Sequence, residues 1–132
     1  SNSMPSKTAW AGMHTEAWRA IWHWIPSTER SLGIPVTVGF GPRFLHSTGQ
    51  LHKGGPNKVL VLQITQADGR DLAIPGASYS FGILKRAQAL GDMAALRDAG
   101  RRAVRVQIGA DTADGLRALS EVIAEGTRAR TA

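Results

Sequence analysis

The chain has 132 residues, 42% hydrophobic residues, no cysteine and a formal net charge of +6 at pH 7. This length and apolar content suit one folded domain with a modest core and argue against disorder. The absence of cysteine excludes disulfides, thiolate metal ligands and cysteine nucleophiles. No apolar run approaches the roughly 18 residues of a membrane helix, so we expect no membrane partner.

The positive charge favours an anionic partner, either a nucleic acid or a phosphorylated metabolite. Nucleic-acid surfaces normally gather their basic residues on one stripe with aromatic residues interleaved. Here the basic residues beyond position 80 are spread over several predicted elements. A solvated, arginine-rich surface is the simpler interpretation, and nucleic-acid binding ranks last among the functions we consider.

Residues 1–13 are small and polar, and their first four letters, SNSM, resemble a tag remnant. We expect residues 1–13 to be flexible and the location to be cytoplasmic, because there is no secretory signal. Residues 17–25 fit a helical and a strand period alike. Trp18, Trp22 and Trp24 favour a strand there, because aromatic residues are enriched in strands, and Pro26 would close the element.

Two further strands are predicted, over Val36–Phe40 and over Val59–Ile64, the second apolar enough to be buried on both faces. Turn residues between positions 66 and 79 predict a loop. Ser80 is placed to cap a helix over Phe81–Ala99 that Gly100 ends. The apolar face expected for this helix consists of Ile83, Ala87, Leu90 and Ala94.

Apolar and polar residues alternate over Ala103–Ile108, which predicts another strand. In this strand Val104, Val106 and Ile108 should point inward, and Arg105 and Gln107 should point outward. Asp111 or Thr112 would then cap a final helix. Its predicted buried face is Leu116, Leu119 and Ile123, and Gly126 would end it, which leaves residues 127–132 as a flexible tail.

Strands and helices alternate in the second half of the chain, which predicts an α/β fold with at least one right-handed parallel crossover. We expect one small domain over residues 14–126, with a central, mostly parallel sheet of about four strands and flanking helices. No internal repeat or low-complexity linker divides it.

The stretch 39–57, GFGPRFLHSTGQLHKGGPN, is the most distinctive part of the chain. It is longer and richer in distinct donors and acceptors than a mere connector requires. Loops held between rigid strands often carry binding and catalytic groups. A polar surface loop with incidental histidines is the alternative.

This stretch, the apolar run VLVLQIT after it and DLAIPGASYSFGILKRAQALGDMAALRDAGRRAVRVQIG resemble the C-terminal part of glucose-6-phosphate isomerase, in the variant fused behind a transaldolase in some bacteria. The resemblance covers about residues 36–109. It implies interconversion of glucose 6-phosphate and fructose 6-phosphate without a cofactor. The family also has a strand that ends in a proline at the place of residues 17–25.

The resemblance implies that Lys53 is the lysine that assists opening of the sugar ring. The family pattern runs from an aromatic residue, here Phe44, to that lysine, and its spacing is kept. His46 stands where a glutamine is usual and Gly49 where an aliphatic residue is usual. An exposed surface lysine, and a histidine bonded within its own loop, are the alternatives for Lys53 and His46.

Gln50, Ser47 and Thr48 are short polar groups suited to sugar hydroxyls or phosphate, although Ser47 and Thr48 would equally suit helix caps. Arg43 could pair with a phosphate or brace the loop. His46 and His52 have no third ligand nearby in sequence, so we predict no metal site.

In the family the proton-transfer carboxylate, a second histidine, the enediolate arginine and the phosphate loops lie in earlier sugar-isomerase domains. The acidic residues of this chain, Asp92 among them, are expected in turns or on helix surfaces. We therefore expect an incomplete site, with partners that are a sugar phosphate, sugar-isomerase domains of the same or another chain, and a second copy of the chain. A non-catalytic sugar-phosphate-binding or docking module is the alternative.

Overall fold

The computed structural model describes residues 15–41, 46–47, 49–67 and 69–131, with side chains from residue 19 to residue 130. No helix in these ranges is long and apolar enough to cross a membrane. The structure contains four helices and two strands over the described ranges: α1 (Thr15–Leu32), α2 (Gly49–Gly54), β1 (Leu60–Gln66), α3 (Phe81–Asp98), β2 (Arg102–Ile108) and α4 (Thr112–Thr131).

The chain divides into two compact units. A helical unit consists of Ser1–Val38 and Asp111–Ala132, and a sheet unit consists of Gly39–Ala110. α1 and α4 pack together in the helical unit, while β1, β2, α2 and α3 form the sheet unit. The expected bounds of a single domain, 14–126, stay a prediction.

Residues 17–25 are helical, so the predicted strand is wrong. The helical alternative was the correct one, but the helix buries a different face from the one that its spacing suggested, since Trp22 is 67% exposed and Trp24 is buried. The strand preference of tryptophan is weak and depends on a neighbouring strand, whereas α1 buries one face against α4. Pro26 does not close the element but lies inside it. It removes one helical hydrogen bond, and both Pro26 and Trp22, whose carbonyl loses that donor, lie on the exposed side where water can replace it.

α4 begins as the sequence predicts and ends later. The Asp111 side chain accepts a hydrogen bond from the backbone N–H of Asp114 at 3.0 Å, which caps the helix. Leu116 and Leu119 are buried, as expected. The helix continues through Gly126 to Thr131, so the predicted stop is wrong. An isolated glycine costs a helix only about 1 kcal/mol relative to alanine, which the surrounding residues tolerate.

The predicted strand Val36–Phe40 is also wrong, because the structure places residues 36–40 outside any strand. The backbone N–H of Val36 donates to Oε1 of Glu29 at 2.9 Å. Val38 and Phe40 are largely exposed. Alternation indicates which residues would share a sheet face, but a strand also requires a neighbour to take its backbone hydrogen bonds.

β1 and β2 form a parallel two-stranded sheet in the described part of the chain, with Leu62 opposite Val104 and Gln63 opposite Arg105. The parallel crossover through α3 confirms the α/β class. The sheet of about four strands expected from the sequence is not found among the described residues.

The two faces of this sheet are used differently from the prediction. Residues opposite each other in a parallel pair share a face. Gln63 and Arg105 both donate hydrogen bonds to the carbonyl of Ala89 in α3, so the polar face lies toward that helix. Leu62 and Val104 lie on the other face, where Val104 is 60% exposed. β1 is therefore not buried on both faces, Arg105 does not point outward, and of the three residues predicted inward Ile108 alone is buried.

α3 has the predicted ends but a different buried face. The Ser80 hydroxyl accepts from the backbone N–H of Ile83 and caps the first turn. Gly100, with φ of 68°, ends the helix, and Arg101 N–H donates back to the carbonyl of Leu96 at 2.8 Å. The predicted apolar face, Ile83, Ala87, Leu90 and Ala94, is exposed, whereas Gly82, Met93 and Leu96 are buried.

Candidate functional site

The short helix α2 holds the candidate lysine. It begins at Gly49, and the carbonyl of Ser47, two residues earlier, accepts from the backbone N–H of Gln50 at 3.0 Å. It closes at Gly55, whose N–H donates to the carbonyl of Leu51 at 2.8 Å. A side chain at position 55 would place its Cβ 2.5 Å from that carbonyl oxygen, so the turn requires glycine.

Lys53 forms an ion pair with Asp92 of α3, with 2.6 Å between Nζ and Oδ1. The two side chains are 21% and 11% exposed. Lys53 is therefore not an exposed surface lysine, which was the alternative interpretation of this residue. Asp92, expected on a helix surface, is largely enclosed and faces the lysine.

Arg101 holds the backbone at the end of α2. Its Nη2 donates to the carbonyl of Lys53 at 2.8 Å and to the carbonyl of Gly55 at 2.7 Å. The last carbonyls of a helix lack internal donors, so a guanidinium there satisfies them and opposes the negative end of the helix. Both ends of Lys53, its carbonyl and its ammonium, are thus bonded to groups on or directly after α3.

The segment after α2 is tied to the same turn. Nδ2 of Asn57 donates to the carbonyl of Gly100 at 3.2 Å, and Nη2 of Arg102 donates to the carbonyl of Asn57 at 3.3 Å. These bonds join residues more than 40 positions apart. The glycine-rich segment 53–57 therefore has a definite place beside the turn between α3 and β2.

The other predicted site residues fall into two groups. His46, Ser47 and Gln50 are exposed, and Gln50 lies one helical turn before Lys53, on the same side of α2. Thr48 and Arg43 lie outside the described residues. The structure therefore brings Gln50 and Lys53 onto one side of α2, with His46 and Ser47 just before the helix.

No group of three metal-ligating side chains occurs in the described ranges. His46 is exposed and His52 is half-buried. The prediction that the two histidines hold no metal stays a prediction.

A second polar cluster lies at the start of α3. Asp71 accepts from the Ser80 hydroxyl at 2.5 Å, from the Gly82 N–H at 2.8 Å and from the Leu72 N–H at 2.8 Å. The Ser80 hydrogen bond, followed by that from Gly82, lowers the pKa of Asp71 below its ordinary value. The chain's own carboxylate thus occupies the positive end of this helix, so that end is not open to a phosphate.

Sequence reasoning missed Asp92 and Arg101. Asp92 lies three residues after Ala89 and four before Leu96, within the buried stripe of α3. A charged residue in such a stripe needs a partner, which was a detectable signal once the correct face was known. Arg101 gave no signal, because its acceptors are backbone carbonyls 46 and 48 positions away.

No family model matches the chain, and no curated protein or solved structure was found to be similar to it. The isomerase resemblance therefore stays an expectation from the sequence.

Proposed function

We propose that this chain is the C-terminal segment of a glucose-6-phosphate isomerase, in which Lys53 assists the opening of the sugar ring. The observation that carries the proposal is the placement of Lys53. It lies on a short helix within a glycine-rich loop, it is only one-fifth exposed, and a carboxylate on another helix holds its ammonium. Incidental surface lysines are rarely enclosed in this way.

The chemistry of the pair fits a proton donor. An ammonium has three N–H groups, and Oδ1 of Asp92 accepts one of them. Donors remain for a ring oxygen or a hydroxyl oxygen of a sugar. Ring opening requires an acid at the ring oxygen, and a positioned ammonium can supply it.

The polar residues beside Lys53 suit the contacts that a sugar requires. Gln50 offers an amide donor and acceptor on the same side of α2, while Ser47 and His46 add a hydroxyl and an imidazole just before the helix. All three are exposed and therefore accessible to a ligand. Thr48 and Arg43 keep their proposed substrate-binding roles from the sequence resemblance.

The residues around Lys53 form only part of the active site that isomerisation requires. Isomerisation also requires a carboxylate that moves a proton between C1 and C2 of the sugar. Two carboxylates of the sheet unit, Asp92 and Asp71, already accept from Lys53 and from the start of α3. The proton-transfer base is therefore assigned to sugar-isomerase domains of the same or another chain.

The test is a coupled assay with fructose 6-phosphate. The purified chain is assayed alone and together with the sugar-isomerase domains of a bacterial isomerase that lacks its own C-terminal segment. We expect no turnover from the chain alone and turnover when the domains are added. Lys53→Ala should abolish the restored activity, whereas Lys58→Ala, a matched change at an exposed lysine five residues on, should preserve it.

Two results would contradict the proposal. Turnover by the chain alone would show that these residues suffice, so the site would not be incomplete. Failure to restore activity, with the chain folded and the domains present in excess, would remove the assignment as an isomerase segment.

A non-catalytic docking module is the second candidate, and one observation favours it. Leu60, Leu62 and Val104 leave the apolar face of the sheet exposed, although apolar sheet faces are normally covered. The candidate partner is the set of sugar-isomerase domains. Binding of those domains without turnover, and its loss in Leu62→Lys, would support this candidate over the first.

A further inference from the structure

We propose that Asp92 is the positioning residue of Lys53: it fixes the location of the ammonium by accepting one of its N–H groups, so that the two residues act as one unit. The effect on turnover rests on the proposed function above. The effect on the lysine itself does not, because it can be measured in the chain without any substrate.

The geometry supports a dedicated pair. The Nζ–Oδ1 distance of 2.6 Å is that of a charge-assisted hydrogen bond. Asp92 is 11% exposed and Lys53 is 21% exposed, so water screens this pair less than it screens an ion pair on the surface. The pair also joins two elements, α2 and α3, that are far apart in the sequence.

The supports of the two residues differ in rigidity. Asp92 belongs to an 18-residue helix with caps at both ends, and its neighbour Met93 is buried. Lys53 belongs to a helix of six residues on a glycine-rich loop. A carboxylate on the rigid helix therefore sets the position of an ammonium that its own short helix would leave mobile. Arg101 restrains the backbone of Lys53 but does not reach its amine.

The ion pair also shields the amine from reagents. The Asp92 carboxylate lies against Nζ of Lys53, so an acylating reagent must displace this contact before it can reach the nitrogen. Removing the charge of Asp92 while keeping the shape of its side chain weakens the contact and should therefore make Lys53 more reactive. A role for Asp92 in packing alone would leave this reactivity unchanged.

The first experiment measures acylation of Lys53 in the purified chain. Wild type, Asp92→Asn and Asp92→Glu are treated with limiting acetic anhydride at pH 8, and modification of each lysine is quantified by peptide mass spectrometry. Exposed Lys58 serves as the internal reference. Asp98→Asn, a matched change at an exposed aspartate of the same helix, is the control variant.

We expect Lys53 to be modified more slowly than Lys58 in wild type, and about three- to tenfold faster in Asp92→Asn than in wild type. Asp92→Glu should restore slow modification, and Asp98→Asn should behave as wild type. An unchanged rate at Lys53 in folded Asp92→Asn would overturn the inference. Circular dichroism establishes folding, and the Asp92→Glu variant retains a test if the asparagine variant does not fold.

The second experiment uses the complemented isomerase assay. Asp92→Asn should lower kcat by about tenfold or more with a smaller change in KM, because it misplaces a group that acts in the reaction. Asp92→Glu should recover part of kcat. Wild-type kinetics in Asp92→Asn would overturn the positioning role while leaving the isomerase proposal intact. Absence of turnover in wild type would instead overturn the isomerase proposal, and the acylation result would still decide the pairing.

Discussion

The helical unit and the sheet unit use different contacts to hold their elements together. In the helical unit α1 packs along α4, and the buried side chains are mainly apolar, with Trp24, Leu116 and Leu119 among them. In the sheet unit, side chains of Asp71, Arg101 and Arg105 bond to backbone groups or to polar side chains.

This difference shows which unit has its geometry specified by directional contacts. Apolar packing has no direction and tolerates adjustment, whereas hydrogen bonds to backbone carbonyls specify distance and angle. The region proposed as an isomerase segment is also the region where arginines and an aspartate fix the backbone.

Leu96→Ala should destabilise the sheet unit by about 2–5 kcal/mol, because Leu96 is only 2% exposed and its truncation leaves a cavity. Amide hydrogen exchange in β1 measures this loss. All four tryptophans lie before residue 25, in the helical unit, so tryptophan fluorescence during urea unfolding reports on that unit. We expect a smaller shift in the fluorescence midpoint than in the exchange free energy. Equal losses by both measures would show that the two units unfold together.

Arg101→Ala should destabilise the sheet unit by about 1–3 kcal/mol, since it leaves the carbonyls of Lys53 and Gly55 without their donor. Exchange of the α2 amides should accelerate more than exchange of the β2 amides. Arg97→Ala removes an exposed arginine at the end of α3 and is the control. Equal effects of the two substitutions would mean that Arg101 does not fix the loop.

The ion pairs Lys53–Asp92 and Arg117–Asp114 should differ in coupling energy. A double-mutant cycle on Lys53 and Asp92 should give about 1 kcal/mol, because the pair is largely enclosed. The same cycle on Arg117 and Asp114, which are both about two-thirds exposed, should give no more than about 0.5 kcal/mol. Urea unfolding measures both. Equal values would contradict the contrast in burial.

Asp71 should make stability depend on pH in the acid range. The Ser80 and Gly82 hydrogen bonds lower its pKa in the folded chain, so its contribution is present above the ordinary aspartate pKa and is lost as pH falls through the lowered value. Asp71→Asn should therefore flatten the fall in stability between neutral and acid pH. A two-dimensional NMR titration of the carboxyl group checks the direction of the shift. A pKa above the ordinary value would contradict it.

Much of the secondary structure in the second half of the chain could be predicted, because the residues that cap and end its helices act on their neighbours in sequence. Ser80 and Asp111 accept from N–H groups three residues on, and Gly100 adopts the positive φ that ends α3. Such contacts depend on neighbours in sequence and therefore appear in the residue pattern. Lys53 was named because the loop resembles an isomerase segment, and that resemblance did not indicate its partner Asp92.

The errors concern contacts between distant residues. Residues 17–25 allowed both periods, and only packing against α4 made the helix the better solution. Residues 36–40 alternate as a strand does but are not part of a strand in the structure, because alternation alone does not supply the pairing that a strand requires. The buried face of α3 was misassigned because Ile83 and Leu90 are apolar yet exposed, while Asp92 is polar yet enclosed.

The order of residues alone predicted the caps and stops of α3, the start of α4 and the parallel order of β1 and β2, because each depends on local backbone chemistry or on the alternation of strands and helices. The fold was needed to show that Asp92 meets Lys53, that Arg101 holds the end of α2 and that the polar face of the sheet lies toward α3. These contacts join residues 16 to 48 positions apart. Their energies depend on burial and distance, which the fold sets and the order of residues does not state.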